Sequence, residues 1–236
     1  MTATPPTLLL TRPEVQSREL AERLRPRIPA DVKVVVSPIL EIAPVPFDLP
    51  ADPSFLILTS AHGAEAAAGL PGLPDLTAWC VGDRTADAAR ALGLRAVSAG
   101  GTAQDLLALL RREHPNGTGL HLRGRHVAAE LAGALTSAGI DTHEVVAYDQ
   151  VARPLSSEAL ACLGGPGIVV LPVYSPRSAR LLAAATDGAV AARDVVAISR
   201  QTADAWPGAA ATVSAAPDGP AMEDAIIARL RACAAC

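Results

Sequence analysis

Six short segments hold the residue types best able to do chemistry: Thr11-Arg12-Pro13, Thr59-Ser60-Ala61-His62, Gly82-Asp83-Arg84-Thr85, Arg123-Gly124-Arg125, Tyr174-Ser175-Pro176-Arg177 and Ser199-Arg200-Gln201-Thr202. Each follows a short apolar run and leads into a stretch of helical periodicity. A helix start exposes unpaired N–H groups and a partial positive charge, and such starts hold carboxylates or phosphates. Ser175 and Ser60 read as caps, and Pro13 and Pro176 as first helical residues. Thr85 and Thr202 stand where a hydroxyl can reach a ligand or bond within its own first turn. Ser, Thr and Pro cap helices in any α/β protein, so one such loop carries little weight. A set of them lining one cleft points to a shared anionic ligand. Tyr148 ends another apolar run. It can donate a proton or hydrogen bond to a departing hydroxyl, or pack at a domain junction.

Other chemistries lack their pattern. His62, His114, His121, His126 and His143 show no ligand spacing with Cys or carboxylate, so no metal is expected. Cys233 and Cys236 have CxxC spacing but end the chain, with no strand before and no helix after, and read as incidental. The run Gly164-Gly165-Pro166-Gly167 precedes a strand instead of following one, which excludes the dinucleotide fingerprint, and there is no P-loop. No cofactor is expected. Glu14 and Glu41 are lone carboxylates, solvated or structural.

Positioning these loops falls to alternating strands and helices. Apolar runs predict strands at Thr7–Leu10, Val32–Val36, Phe55–Leu58, Ala78–Val81, Arg95–Val97, Leu120–Leu122, Glu144–Ala147, Ile168–Val173, Val195–Ile198 and Ala211–Val213. Helical spacing between them is clearest at Met222, Ile226, Ile227 and Leu230. Such βα alternation predicts an α/β fold with parallel, doubly wound sheets covered on both faces. Two stretches break the rhythm: Ser37–Pro53, rich in proline with an extended start at Ile39–Ile42, and Asp149–Ser157. They read as two crossings between domains. Domain one is then 1–37 plus 152–236, domain two is 42–147, and 38–41 and 148–151 are linkers.

An internal repeat supports that division. Leu58-Thr59-Ser60-Ala61-His62-Gly63-Ala64 resembles Val173-Tyr174-Ser175-Pro176-Arg177-Ser178-Ala179. Thr85-Ala86-Asp87 recurs as Thr202-Ala203-Asp204, and Val97-Ser98-Ala99 as Val213-Ser214-Ala215, at nearly the same interval. Glu19-Leu20-Ala21 resembles Glu130-Leu131-Ala132, but this unit opens one domain and lies late in the other. One flavodoxin-like fold used twice, the inner copy circularly permuted, accounts for all four matches. In domain one the predicted strand order is 2-1-3-4-5, with ligands outside the carboxyl ends of the strands at the switch point. The equivalent loops of both domains are expected to line a cleft between them.

Composition agrees. The chain has 236 residues and 24.1 kDa, room for one large or two small domains. Half the residues are apolar and 19% charged, enough to build a core. A net charge of −4 without a basic block, and only two each of Phe, Trp and Tyr, argue against nucleic acid as a partner. The uncharged run Ala159–Pro176 is broken by glycines and prolines and cannot be a membrane helix. The start of the chain has no signal-peptide pattern and the cysteines are scattered, so reduced thiols and a cytoplasmic location are expected; nothing reads as a large exposed apolar patch, so a monomer is expected.

Taken together, Thr11-Arg12-Pro13, Thr59-Ser60-Ala61, Val81-Gly82 with Thr85-Ala86, Leu122-Arg123-Gly124, the Val145-x-x-Tyr148 ending, Ser175-Pro176-Arg177-Ser178-Ala179, Thr202-Ala203 and Ala216-Pro217 resemble the uroporphyrinogen-III synthases. Each motif is short, but together they span nearly the whole chain in that family's order. The resemblance implies two α/β domains joined by a two-stranded linker, with the active site in the cleft. It implies closure of the linear tetrapyrrole hydroxymethylbilane into uroporphyrinogen III with inversion of ring D, without metal or organic cofactor. Loss of hydroxide from the bilane gives an electrophilic azafulvene. The substituted carbon of ring D must then attack to form a spiro intermediate, which is chiefly a matter of positioning with some acid assistance. By the same resemblance Tyr148 assists hydroxyl departure, and Ser60, Thr85, Ser175 and Thr202 bind the substrate's acetates and propionates. Arg12, Arg177 and Arg200 add charge. The chain departs from the family at His62, commonly asparagine, and at Ser199, usually glycine. The rival reading is a non-catalytic two-domain clamp for a tetrapyrrole or small anion; a sugar-phosphate binder using the same helix starts is a third.

Overall fold

Strands that are apolar at every position need cover on both faces, and Phe55–Leu58 and Ile168–Val173 receive it. The computed structural model describes residues 4–50, 52–126, 131–208 and 211–234. In chain order the elements are β1 (Thr7–Leu10), α1 (Glu14–Leu24), β2 (Lys33–Val36), β3 (Leu40–Pro44), β4 (Phe55–Leu58), α2 (Ala61–Ala68), β5 (Thr77–Cys80), α3 (Asp83–Ala91), β6 (Arg95–Ser98) and α4 (Ala103–Glu113). They continue with β7 (Gly119–Gly124), α5 (Leu131–Ser137), β8 (Thr142–Ala152), α6 (Ser157–Gly164), β9 (Ile168–Val173), α7 (Pro176–Ala185), β10 (Ala192–Ala197), α8 (Arg200–Asp204), β11 (Thr212–Val213) and α9 (Gly219–Ala234). They form two compact units, Met1–Glu41 with Val151–Cys236, and Ile42–Gln150.

In the outer unit the sheet order is β11-β10-β9-β1-β2, and every neighbouring pair is parallel. Counted within the unit this is the expected 2-1-3-4-5 order. Alternation along the strands divides the core in two. Leu9, Val35 and Leu171 meet Ala159 and Leu163 of α6 and Ala179 and Leu182 of α7. Leu8, Leu10 and Val170 meet Leu20 and Leu24 of α1 and Met222, Ile226, Ile227 and Leu230 of α9. Each large side chain so buried stabilises the fold by about 1.5–3 kcal/mol.

The inner unit has the order β3-β8-β7-β4-β5-β6. From β8 to β6 it is parallel. Leu56 and Leu58 pack with α2 and α3, while Phe55 and Ile57 pack with Leu106 and Leu110 of α4 and Leu131 and Leu135 of α5. By place in the sheet, β4, β5 and β6 correspond to β9, β10 and β11, and β7 and β8 to β1 and β2. The inner chain therefore enters the common order at its third strand. Three of the repeated sequence segments lie on these corresponding elements; the fourth begins at Glu130, and Glu130, like Cys236, lies outside the described residues.

The chain passes between the units on β3 and β8, which are neighbours. Arg153 N–H donates to the Ile39 carbonyl and Val45 N–H to the Ala147 carbonyl. That opposed progression is antiparallel.

Two local expectations need correction. The predicted break at Asp149–Ser157 begins later, because β8 continues to Ala152; pairing with β3 sustains a strand through residues too polar to read as one. Pro13 is the cap of α1, not its first helical residue, since its ψ of 147° is extended.

Candidate active site

The inner unit's site starts from an irregularity in one strand. β7 and β8 pair in register from Gly119 opposite Thr142 to Arg123 opposite Val146, and then Gly124 lies opposite Tyr148. Ala147 is thus an extra residue, a β-bulge. Val145, Ala147 and Tyr148 consequently all pack on the core side of α2 and α3. Regular alternation would have turned Tyr148 to the other face.

There Tyr148, only 8% exposed, lies over the backbone of Gly124, where a Cβ would come within 2.7 Å of Tyr148 Cε2. Its Oη is 2.6 Å from Ser60 Oγ. Ser60 caps α2, its Oγ accepting the Gly63 N–H at 3.4 Å. Gly63 in turn brings α2 close to β7, since a Cβ on it would lie 2.7 Å from the Leu122 carbonyl oxygen. The His62 ring stands edge-on to Tyr148, centroids 5.5 Å apart. The structure therefore joins Ser60 and Tyr148 into one pair of hydroxyls at a helix start. His62 belongs to the same group.

Thr85, 7% exposed, is the third residue of α3, on the neighbouring strand–helix connection. Its N–H donates to the Gly82 carbonyl. Gly82 approaches Gly101, whose Cα would be 3.0 Å from an added Cβ.

On the opposite face of this sheet lies a group whose members sequence spacing does not connect. His121 is 1% exposed. Its Nδ1 is 2.9 Å from Glu144 Oε1 and its Nε2 3.3 Å from Thr59 Oγ1. Arg123 Nε donates to Glu144 Oε2 at 3.1 Å, and Arg123 Nη1 to the Gly124 carbonyl at 3.1 Å. Burial pushes the His121 pKa below its usual value; Glu144 opposes this and the Arg123 charge adds to it. A neutral imidazole facing a carboxylate through Nδ1 carries its proton there, leaving Nε2 to accept from Thr59. His121 shows no metal spacing, and its partners are brought beside it only by the register of β7 with β4 and β8.

In the outer unit the corresponding connections carry the other predicted residues. Arg12, after β1, stacks over Tyr174, its guanidinium carbon 4.3 Å from the ring centroid, and Nη2 donates to Gln16 Oε1 at 2.7 Å. Burial raises the Tyr174 pKa, with Arg12 opposing. Ser175 and Ser178 cap α7 reciprocally: Ser175 Oγ accepts the Ser178 N–H at 3.1 Å and Ser178 Oγ the Ser175 N–H at 3.0 Å. Arg177 is half-buried in the first turn of α7. Ser199 caps the short α8, accepting the Thr202 N–H at 3.2 Å, and its Oγ is 3.1 Å from Thr202 Oγ1. Thr202 is 1% exposed and Arg200 is exposed. Arg12 and Ser175 thus gather around Tyr174, while Arg200 and Thr202 form the next connection along the sheet. The predicted residues Arg12, Ser60, Thr85, Ser175, Arg177, Arg200 and Thr202 follow the carboxyl end of a strand, whereas Tyr148 lies within β8, and Arg123 and Gly124, expected after their strand, lie within β7.

The lone carboxylates stand in exposed ion pairs, Glu14 with Arg18 and Glu41 with Arg153. Among the described residues no three His, Cys, Asp or Glu side chains cluster as a metal ion requires, and no helix is long and apolar enough to cross a membrane.

Comparison with known proteins gives these features a context. The family model described as uroporphyrinogen-III synthase HemD matches residues 17–227. A uroporphyrinogen-III synthetase from Helicobacter pylori is 17% identical, with 95% of this chain and 99% of that one covered and a TM-score of 0.68. A mutant uroporphyrinogen III synthase from the extremely thermophilic bacterium Thermus thermophilus is 20% identical, with 97% and 98% covered and a TM-score of 0.52. At these identities the solved structures show a common fold. Among curated proteins none matches the chain.

Proposed function

Since the chain belongs to the uroporphyrinogen-III synthase family, a family of cofactor-independent cyclising lyases of tetrapyrrole biosynthesis, we propose that Tyr148 is the acid that releases the hydroxyl of hydroxymethylbilane. The reaction closes that bilane into uroporphyrinogen III with ring D inverted. The observation that carries the proposal is the 2.6 Å contact between Tyr148 Oη and Ser60 Oγ at the start of α2. With Ser60 donating, the phenolic proton is left for the substrate, and the developing phenolate is stabilised by the serine hydroxyl and the positive end of the helix. The hydroxyl leaves as water, and the proton lost when the last pyrrole re-aromatises restores the phenol.

Ser60, Thr85, Ser175 and Thr202 are proposed to hold the acetates and propionates, with Arg12, Arg177 and Arg200 supplying charge. Their support is their common position at helix starts after parallel strands. With a net charge of −4, long-range attraction of a polyanion is weak and these local N–H and O–H groups must dominate. We also propose a monomer, because each unit buries its own two-sided core. A cytoplasmic location suits the undisulfided thiols of Cys80 and Cys162.

The test is a coupled assay with bilane generated in situ and the product isomers resolved. The wild-type protein should give the type III isomer. Tyr148→Phe should lower kcat by about 100-fold or more without unfolding. A variant that keeps full rate removes Tyr148 from the acid role, and a wild-type protein that gives only type I product overturns the assigned reaction.

A further inference from the structure

We propose that His121 is a positioning residue for this reaction: with Glu144 and Arg123 it braces, from the far face of the sheet, both the turn that carries Ser60 and the glycine beneath Tyr148. The inference rests on the reading of Ser60 and Tyr148 as the site.

The group is a directed chain of hydrogen bonds. Thr59 donates to His121 Nε2, His121 Nδ1 donates to Glu144, and Arg123 donates to the other Glu144 oxygen. Its two ends fall beside the two hydroxyls of the site. Thr59 immediately precedes Ser60, and the two side chains turn to opposite faces, one to His121 and the other to Tyr148. At the other end Arg123 holds the carbonyl of Gly124, the residue over which the Tyr148 ring lies. Valine or leucine would fill the His121 position without the cost of burying polar groups. The imidazole instead ties β7, β8 and the β4–α2 turn together at the height of the hydroxyl pair. Placement of catalytic groups to within a fraction of an ångström governs the rate. Here it also governs whether the substituted or the unsubstituted carbon of ring D closes the macrocycle.

The experiment compares His121→Gln, His121→Asn and Thr59→Val in the coupled assay. Glutamine sets an amide oxygen near the place of Nε2 and can accept from Thr59; asparagine keeps a donor for Glu144 but stops short of Thr59. His121→Asn and Thr59→Val should each lower kcat about tenfold and raise the proportion of type I product, with KM within about twofold. The double variant should be no worse than either single one, and His121→Gln should stay near wild type. Thr59→Val leaves the histidine in place and carries the test should His121→Asn fail to fold. The inference is overturned if Thr59→Val keeps both the rate and the isomer ratio, if His121→Gln is as damaged as His121→Asn, or if KM moves while kcat does not. In the wild-type protein, nitrogen NMR at pH 7 should show the imidazole neutral with the proton on Nδ1; the other tautomer overturns the direction of the chain. Production of type I isomer alone by the wild type overturns the assigned reaction, and this inference with it.

Discussion

Gly124 and Tyr148 occupy each other's space: a Cβ on the glycine would lie 2.7 Å from Cε2 and 3.2 Å from Oη of the tyrosine. The ring position is therefore set by the lack of a side chain across the strand pair. Gly124→Ala should push the ring off the Ser60 hydroxyl. Because a misplacement of about 1 Å can cost about 100-fold, kcat should fall about 10- to 100-fold, while overpacking lowers stability by about 1–3 kcal/mol. Steady-state kinetics beside urea unfolding separate the two effects. Unchanged kcat would show that the ring position is immaterial.

Ser60 has two tasks that substitution can separate. As a helix cap it resembles Ser156, which accepts the Ala159 N–H at 3.2 Å at the start of α6. Ser60→Ala and Ser156→Ala should each cost about 1 kcal/mol of stability. Only Ser60→Ala should also depress kcat, because only it removes a partner of Tyr148. Equal kcat values for the two variants would leave Ser60 as a cap and nothing more.

His121 should make the fold sensitive to mild acid. Burial lowers its pKa in the folded state, so on acidification the unfolded chain takes up this proton first. Stability from this residue is complete above the unfolded value of about 6.5 and is lost as pH falls from there through the folded pKa. The urea midpoint of the wild type should drop more between pH 7.5 and 5.5 than that of His121→Gln. Parallel curves would show that His121 does not titrate differently in the two states.

Cys80 should resist alkylation in the native protein. It is fully buried between α2 and α3, and burial pushes its thiol up to about 11. At pH 8 little thiolate forms, and reagent has no path to it. Mass spectrometry after iodoacetamide treatment should find Cys80 unmodified until denaturant is added; modification at the rate of a free thiol would contradict the buried placement.

Much of the scaffold was legible because its strands are unbroken apolar runs. Phe55–Leu58 and Ile168–Val173 are strands over the whole predicted length. β8 was legible only in part, since Asp149 and Gln150 interrupt its apolar run, and beyond Tyr148 the strand is little buried and runs beside β3. Residue types at helix starts marked Ser60 and Ser175, both of which are caps. The bulge at Ala147 left no mark, because one extra residue in a strand changes which way Tyr148 points without altering composition. The His121 group was illegible for a related reason. Thr59, His121, Arg123 and Glu144 sit on three separate strands or turns, and only the register between strands makes them neighbours.

The opposed course of β3 and β8 has a consequence for how such a chain can be assembled. The two ends of residues 42–150 leave their unit side by side, so a host sheet can accept this guest within a single strand–helix connection, here the one from β2 to α6. Entry at the third strand makes β8 the last strand and sets it beside β3; a copy beginning at the first strand of the shared order would end on the fifth, at the opposite edge of the sheet. Rotation of the strand order and insertion into the host are thus one architectural solution, which permits a duplicated fold to be nested instead of strung in tandem.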